Sequence, residues 1–276
     1  MKKLKKFSLP YLIILVLFIV IPMITMVVLG FTTTEGMNFS NMVFTFDNFV
    51  RLGEISVLIG LTNSLLYATI ATVISLLIGY PLAYLFSRLK NRNGFLITLL
   101  LVLPMWSNIL LRTNALGYFF SENNMIRELF AQIGIDFQIN IKGTPASVVI
   151  GLIMVYLPFM ILPIYTVLDK IDKSLYDASA DLGGDPIRTF FRVTVPLSAK
   201  GITTGIIMVF LPSFSGFAVP RIMGNENIVM LGTIIEDSFI YMDYNFGSLI
   251  AMILIFTIVI ALLVISKVDK EGETLL

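Results

Sequence analysis

The sequence predicts an all-α, polytopic membrane protein with six transmembrane helices. Three observations carry that reading. Hydrophobic residues make up 57% of the chain and charged residues 13%, against about 25% charged in soluble domains. The apolar residues fall into six blocks free of Asp, Glu, Lys and Arg, at 9–31, 61–86, 95–111, 146–168, 201–219 and 247–265. Crossing the hydrocarbon core takes about 20 mostly apolar residues, with a range of about 17–25. Finally, Lys and Arg are concentrated in alternate connections.

The first block follows a basic start, MKKLKK. Its apolar run is longer than the h-region of a secretory signal, and no small-residue cleavage site follows. A retained span is expected. The second block is the longest, and the third, interrupted by Pro104, is the shortest. Pro22, Pro81, Pro158, Pro163 and Pro212 fall within other blocks. A membrane helix tolerates such prolines because its neighbours re-satisfy the freed carbonyls. Between blocks three and four, MIREL and LFAQIGIDF suggest a short amphipathic helix at the interface.

Fourteen Lys and Arg lie in the N-terminus, in the connections after blocks two and four, and in the tail; five lie in the opposite connections. The positive-inside rule puts both termini in the cytoplasm. Ten acids sit in the outer connections and eight in the inner ones. The outer excess favours a cationic solute or a basic partner surface; ordinary loop solvation is the alternative.

Cysteine and histidine are absent. That excludes disulfides and thiolate metal sites and removes the commonest general base. With no carboxylate in any span, an intramembrane enzyme has little chemistry available. Secondary transporters and channels often carry ionisable residues within spans, and none is present here. Net charge is +1, so nothing points to nucleic acid.

One stretch departs from the pattern. Residues 174–197, SLYDASADLGGDPIRTFFRVTVPL, carry five charges between apolar blocks. Leu175, Ala178, Ser179 and Leu182 recur at helical spacing. Gly183-Gly184 suits a left-handed helix stop, and Asp185-Pro186 suits the cap and first turn of a second helix. A helix, a glycine corner and a second helix are expected on the cytoplasmic side, either docked in a groove through the small face or resting on the lipid surface.

This stretch resembles the EAA loop of permease subunits in binding-protein-dependent ABC importers, which reads E-A-A, three residues, G, nine residues, I-x-L-P. Asp177-Ala178-Ser179, Gly183, Val193 and Val195-Pro196 occupy those places, with Asp for Glu, Ser for Ala and Val for Ile and Leu. The resemblance implies one permease domain over 1–276 and a coupling helix that docks into a cytoplasmic ATPase. Asp177, Ala178, Ser179, Asp181, Leu182 and Gly183 are the implied coupling residues. Implied partners are two ABC ATPase subunits, a second homologous permease and an extracytoplasmic substrate-binding protein. The chain has no G-x-x-x-x-G-K-[ST] phosphate loop. No cofactor is therefore expected in it; ATP and Mg would be bound by the partner ATPase.

YLPFMILPIYTVLDKIDKSLYDASADLGG (156–184) and LLRTNALGYFFSENNMI (110–126) resemble the B-type permeases of spermidine/putrescine importers. A polyamine is the implied solute; an oxyanion, a metal or a sugar is the alternative. Carboxylates and aromatic faces accept ammonium groups, a desolvated cation–π contact reaching about 2 kcal/mol. Trp106, the sole tryptophan, is the first candidate for the translocation path, with interfacial anchoring as its other reading. Glu236 and Asp237, near Tyr241 and Tyr244, are candidates for attracting a cation or for meeting the binding protein. Asn108 and Asn114 complete the candidate path.

Overall fold

A computed structural model describes residues 13–35, 38–89, 94–122 and 141–268. The basic start of the chain and the segments MIREL and LFAQIGIDF lie outside these residues.

Long apolar runs become helices because a lipid-exposed backbone must satisfy its own N–H and C=O groups. In chain order these are α1 (Ile13–Gly30), α2 (Ile55–Arg88), α3 (Gly94–Trp106), α4 (Ile109–Phe119) and α5 (Pro145–Leu168). Then follow α6 (Ser174–Asp181), α7 (Pro186–Leu197), α8 (Ala199–Ser215), α9 (Ala218–Met223), α10 (Leu231–Ile240) and α11 (Tyr244–Val268). Helices α1, α2, α5 and α11 are each long and apolar enough to cross a membrane. The pairs α3–α4 and α7–α8 bend by 85° and 64°; counting each pair once gives six spans.

Two expected spans differ from straight rods. Block 95–111 is divided, because α3 ends at Trp106 and Asn108 leaves helical geometry (φ −59°, ψ 125°). The Asn108 Oδ1 then accepts from the N–H groups of Leu110 (2.8 Å) and Leu111 (3.4 Å), capping α4. Block 201–219 is divided too. Helix α8 stops at Ser215, Gly216 is extended, and α9 starts at Ala218. Composition cannot register either break, since the residues that make them are uncharged.

Helix α5 forms the centre, packed against α2 and α8. Lipid tails are as apolar as leucine, so helices associate in a membrane through close packing and hydrogen bonds, with small residues at the contacts. The buried face of α2 follows that rule: Gly60, Ser64, Ala68, Ala71, Thr72, Ser75, Gly79 and Ala83 repeat at intervals of three and four. Helix α8 brings Gly201, Gly205, Val209 and Ser213 to the same core. Opposite them, α5 supplies larger side chains, including Leu152, Val155, Met160 and Ile164. A Cβ on Gly201 would lie 2.9 Å from the Pro163 carbonyl oxygen, and one on Gly205 2.7 Å from the Met160 sulfur and 3.1 Å from its carbonyl oxygen.

Where the backbone leaves a helix, side chains from elsewhere meet it. The Asn245 Nδ2 donates to the carbonyls of Leu29 (2.9 Å) and Thr32 (2.6 Å), and the Asn48 Nδ2 to those of Gly30 and Thr32. The Ser64 Oγ accepts from the Leu231 N–H at 2.8 Å, fixing the start of α10 on α2. After α1, strands β1 (Thr32–Glu35) and β2 (Asn38–Phe44) form an antiparallel hairpin, with Thr32 opposite Phe44. Phe31, Phe44, Phe46 and Phe49 cluster at its base, Phe31 and Phe49 having centroids 5.0 Å apart.

The α5–α8 contact yields a direct expectation. Gly205→Leu adds volume where the partner is backbone as well as a flexible sulfur, so destabilisation of about 1–3 kcal/mol or more is expected. Gly53→Ala, where a Cβ would meet nothing within 4 Å, should be neutral. Thermal unfolding of the two variants in detergent checks this; equal midpoints would refute the close approach.

Candidate functional site

The polar stretch folds as two short helices around a corner. At the start, the Asp172 Oδ1 accepts from the Ser174 N–H at 2.9 Å and orders the first turn of α6. That bond favours the charged carboxylate and holds the Asp172 pKa below its ordinary value. The glycine corner expected from the sequence is present: Gly183 has φ +76° and open space around its Cα. Glycine is therefore needed there for its conformation, not for room. Gly184 has the opposite reason, since a Cβ would lie 2.6 Å from the Ser179 Oγ. The Gly184 N–H donates to the Ser179 carbonyl (2.8 Å), and the hydroxyls of Ser179 and Thr189 pair at 2.8 Å. The Asp185 Oδ1 accepts from the Arg188 N–H at 2.8 Å and caps α7.

This arrangement presents one side of the corner to its surroundings. Asp177, Ala178, Asp181, Leu182 and Gly183 are exposed, and Ser179 is half-buried. Leu182, at the tip, is 90% exposed, and Leu175, Ile187 and Phe191 also present apolar surface. The other side is anchored. The Arg88 guanidinium lies over the Tyr176 ring, and Phe190 of α7 meets Tyr80 and Tyr84 of α2 edge-on.

The remaining candidates lie on α3, α4 and α10. Trp106 ends α3 at the 85° bend and is 84% exposed. Asn108 is occupied in capping α4, and the exposed Asn114 donates to the Leu110 carbonyl at 2.9 Å within its own helix. Glu236 and Asp237 share Arg221, whose Nε donates to Glu236 Oε2 at 2.9 Å and whose Nη2 pairs with Asp237 Oδ1. The two acids are thus together, and one cation already offsets part of their charge. Glu236 also lines an apolar pocket of about 430 Å³ with Ser215, Phe217, Gly232, Ile235, Phe239 and Ile240.

Three arginines matter that sequence reasoning passed over. The Arg112 Nη1 donates to the Pro104 carbonyl at 2.7 Å across the α3–α4 bend, while its buried Nε has no partner among the described residues. Arg51 pairs with Asp243 (2.8 Å) and Glu54 (3.3 Å) and lies 3.8 Å from the centroid of Phe246. Burial lowers the pKa of Arg51 and of Arg221, but the paired carboxylates outweigh it and raise both. Apart from Arg51–Glu54, these ion pairs have no local signal, because the partners lie 15 to 192 residues away. Among the described residues no group of three Asp or Glu could hold a metal ion.

A glycine-cornered helical loop with an exposed apolar tip, hung beneath a helical membrane bundle, narrows the comparison. Residues 55–268 match the family model described as the binding-protein-dependent transport system inner membrane component. The chain belongs to that family. It is a permease of an ABC importer, a membrane transport subunit. It is 36% identical over 253 residues to the spermidine/putrescine transport system permease protein PotB of Escherichia coli (strain K12), covering 91% of each chain. To PotB of Haemophilus influenzae it is 35% identical over 252 residues, covering 91% of this chain and 87% of that one. The fold is similar to a crystal structure of a bacterial ABC transporter involved in the import of the acidic polysaccharide alginate, with a TM-score of 0.76 at 17% identity, over 98% of this chain and 94% of that one. A second structure, of the bacterial alginate ABC transporter with an alginate pentasaccharide-bound periplasmic protein, gives a TM-score of 0.77 at 16% identity, over 97% and 94%.

The capping bond at Asp172 sets a pH expectation. Its folded pKa is depressed, so its stabilisation of α6 is present above the unfolded pKa and is lost as pH falls through the folded one. Amide protection factors at Ser174 should drop on acidification below the carboxylate range. Asp172→Ala should show the lower value at every pH; protection that is independent of both pH and Asp172 would refute the cap.

Proposed function

We propose that this permease carries spermidine or putrescine across the cell membrane, driven by a separate ATPase that docks on α6. The observation that carries the solute assignment is the 36% identity to PotB across 91% of both chains. In this reading both termini, α6 and α7 are cytoplasmic, as the Lys and Arg distribution supports. The chain pairs with a second homologous permease over two ATPase copies, and an extracytoplasmic binding protein delivers the solute. ATP and Mg are held by the ATPase, and no cofactor belongs to this chain.

The exposed residues Asp177, Ala178, Asp181, Leu182 and Gly183 form the docking face, and Ser179 holds the corner from within. Leu182 supplies an apolar anchor, and the positive φ of Gly183 fixes its direction. Closure of the ATPases on ATP moves α6 and switches the path from inward-facing to outward-facing. Reversing a 1:99 population to 99:1 takes about 5.5 kcal/mol of differential interaction, which must pass through α6 and its supports. Along the path, Trp106 offers a ring face at the α3–α4 bend, with Asn108 and Asn114 beside it in sequence, and the Glu236–Asp237 pair attracts the cation at the outer side.

A second reading, an anionic solute, has one observation in its favour. Arg112 keeps a buried Nε with no partner among the described residues, at the same bend as Trp106.

Uptake of labelled spermidine, with putrescine and an oxyanion as competitors, tests the solute in cells lacking this subunit and complemented with it. Competition by putrescine alone is expected; competition by the oxyanion would transfer the assignment to the anionic reading. Gly183→Arg, in the same cells, should reach the membrane yet lose both uptake and ATPase association. Normal uptake by that variant would refute docking at the corner. Trp106→Leu should lower uptake with the complex still assembled, whereas unchanged uptake would leave Trp106 as an interfacial anchor.

A further inference from the structure

Tyr176 sits one residue before the exposed Asp177-Ala178 pair and is itself half-buried. The Arg88 Cζ lies 3.6 Å from its ring centroid and 5.1 Å from that of Tyr84. Tyr84 meets Phe190 edge-on at 5.2 Å, Phe190 meets Tyr80 at 5.6 Å, and the Tyr80 hydroxyl pairs with the Ser198 Oγ at 2.8 Å. A continuous set of contacts thus joins α6, the last turns of α2 and the α7–α8 bend. Among the described residues no carboxylate pairs with Arg88, and its guanidinium meets the ring faces of Tyr176 and Tyr84. A guanidinium is suited to that place, being planar, weakly hydrated and able to stack on aromatic rings.

Helix α2 has a feature that gives these contacts a direction. Pro81 lies inside it and donates no N–H, so the Leu77 carbonyl loses its usual helical partner. The segment beyond, 82–88, carries both Tyr84 and Arg88. Most of the small-residue face that binds α2 to α5 and α8 lies before Pro81. A displacement of α6 therefore reaches α2 beyond Pro81, where Ala83 is buried and Leu82, Tyr84 and Phe86 pack against the core around α5.

We infer that Arg88 is a positioning residue of the transport cycle, holding α6 to the end of α2 through Tyr176 and passing the movement of α6 into that span. This rests on the reading of α6 as the ATPase-docking helix. It adds a route from α6 into the membrane that does not follow the chain, which would otherwise carry movement only into α5 and α8. The physical warrant is a shared contact whose loss is measurable as a coupling between two side chains.

The test uses the complete importer in proteoliposomes, measuring solute moved per ATP hydrolysed with spermidine as the probe. Arg88→Met and Tyr176→Leu should each lower that ratio roughly two- to fivefold. Tyr176→Phe keeps the ring and should behave as wild type. The double variant Arg88→Met/Tyr176→Leu should lose no more than the worse single variant, because both remove one interaction. A wild-type ratio in both single variants, or losses that multiply in the double, would overturn the inference. So would loss of ATPase co-purification with Arg88→Met, which would reduce Arg88 to a folding role. Gly183→Arg in the same preparation separates the two levels. If it transports normally, the docking reading falls and the inference with it; if it is inactive while Arg88→Met is normal, only the inference falls.

Discussion

Close approach of helix backbones in lipid is the constraint on which the rest of the structure depends. Water cannot drive two helices together inside a bilayer, so association rests on contacts made at short range. In this chain the small face of α2 and the glycines of α8 let both come down onto the large side chains of α5. The bends and the α6–α7 corner are referred to that three-helix centre, while α1 packs on α11. A single added side chain at Gly201 or Gly205 meets backbone, which has no rotamer with which to retreat.

The two broken spans follow from the same economy of polar groups. A backbone that leaves helical geometry exposes N–H and C=O groups that must find partners. Asn108 supplies them at the α3–α4 bend, Asn48 and Asn245 at the end of α1, and Ser64 at the start of α10. These polar side chains make the irregular segments affordable next to the membrane. The same logic limits what Asn108 can offer a solute, since its oxygen is already engaged. Glu236 and Asp237 are limited in a similar way by Arg221. Around Arg51 and Arg221 the field is therefore set by clusters of three charges.

The α6–α7 corner combines order with exposure. Its hydrogen bonds are internal, from the Asp172 cap through the Ser179–Thr189 pair to the Asp185 cap. Leu182 is left outside, a costly place for a large apolar side chain in water. A rigid corner with an uncovered apolar tip is the form expected of a preorganised docking element, because little conformational entropy remains to be lost on binding. Its underside is aromatic, Tyr176 and Phe190 meeting Arg88, Tyr80 and Tyr84 at the end of α2.

How much of this was legible in one dimension depends on the range of the interaction. The six apolar blocks reflect the transfer free energy of each residue taken singly, so composition alone determined the membrane class and the helical spans. The glycine corner and its caps were equally legible, since Gly183 and Asp185 act on backbone within three residues of themselves, and the family pattern at Asp177–Pro196 is local too. The hairpin after α1, the 85° and 64° bends and the division of 201–219 were not, because hydropathy does not register where the backbone turns within an apolar run. Likewise, Asp237 and Glu236 read as free acids in sequence and emerge as the partners of Arg221, while Arg88 reads as one loop cation among several. Only the tertiary structure decided those roles: charge pairing and ring contacts act over a few ångströms, and which residues come that close is settled by helix packing.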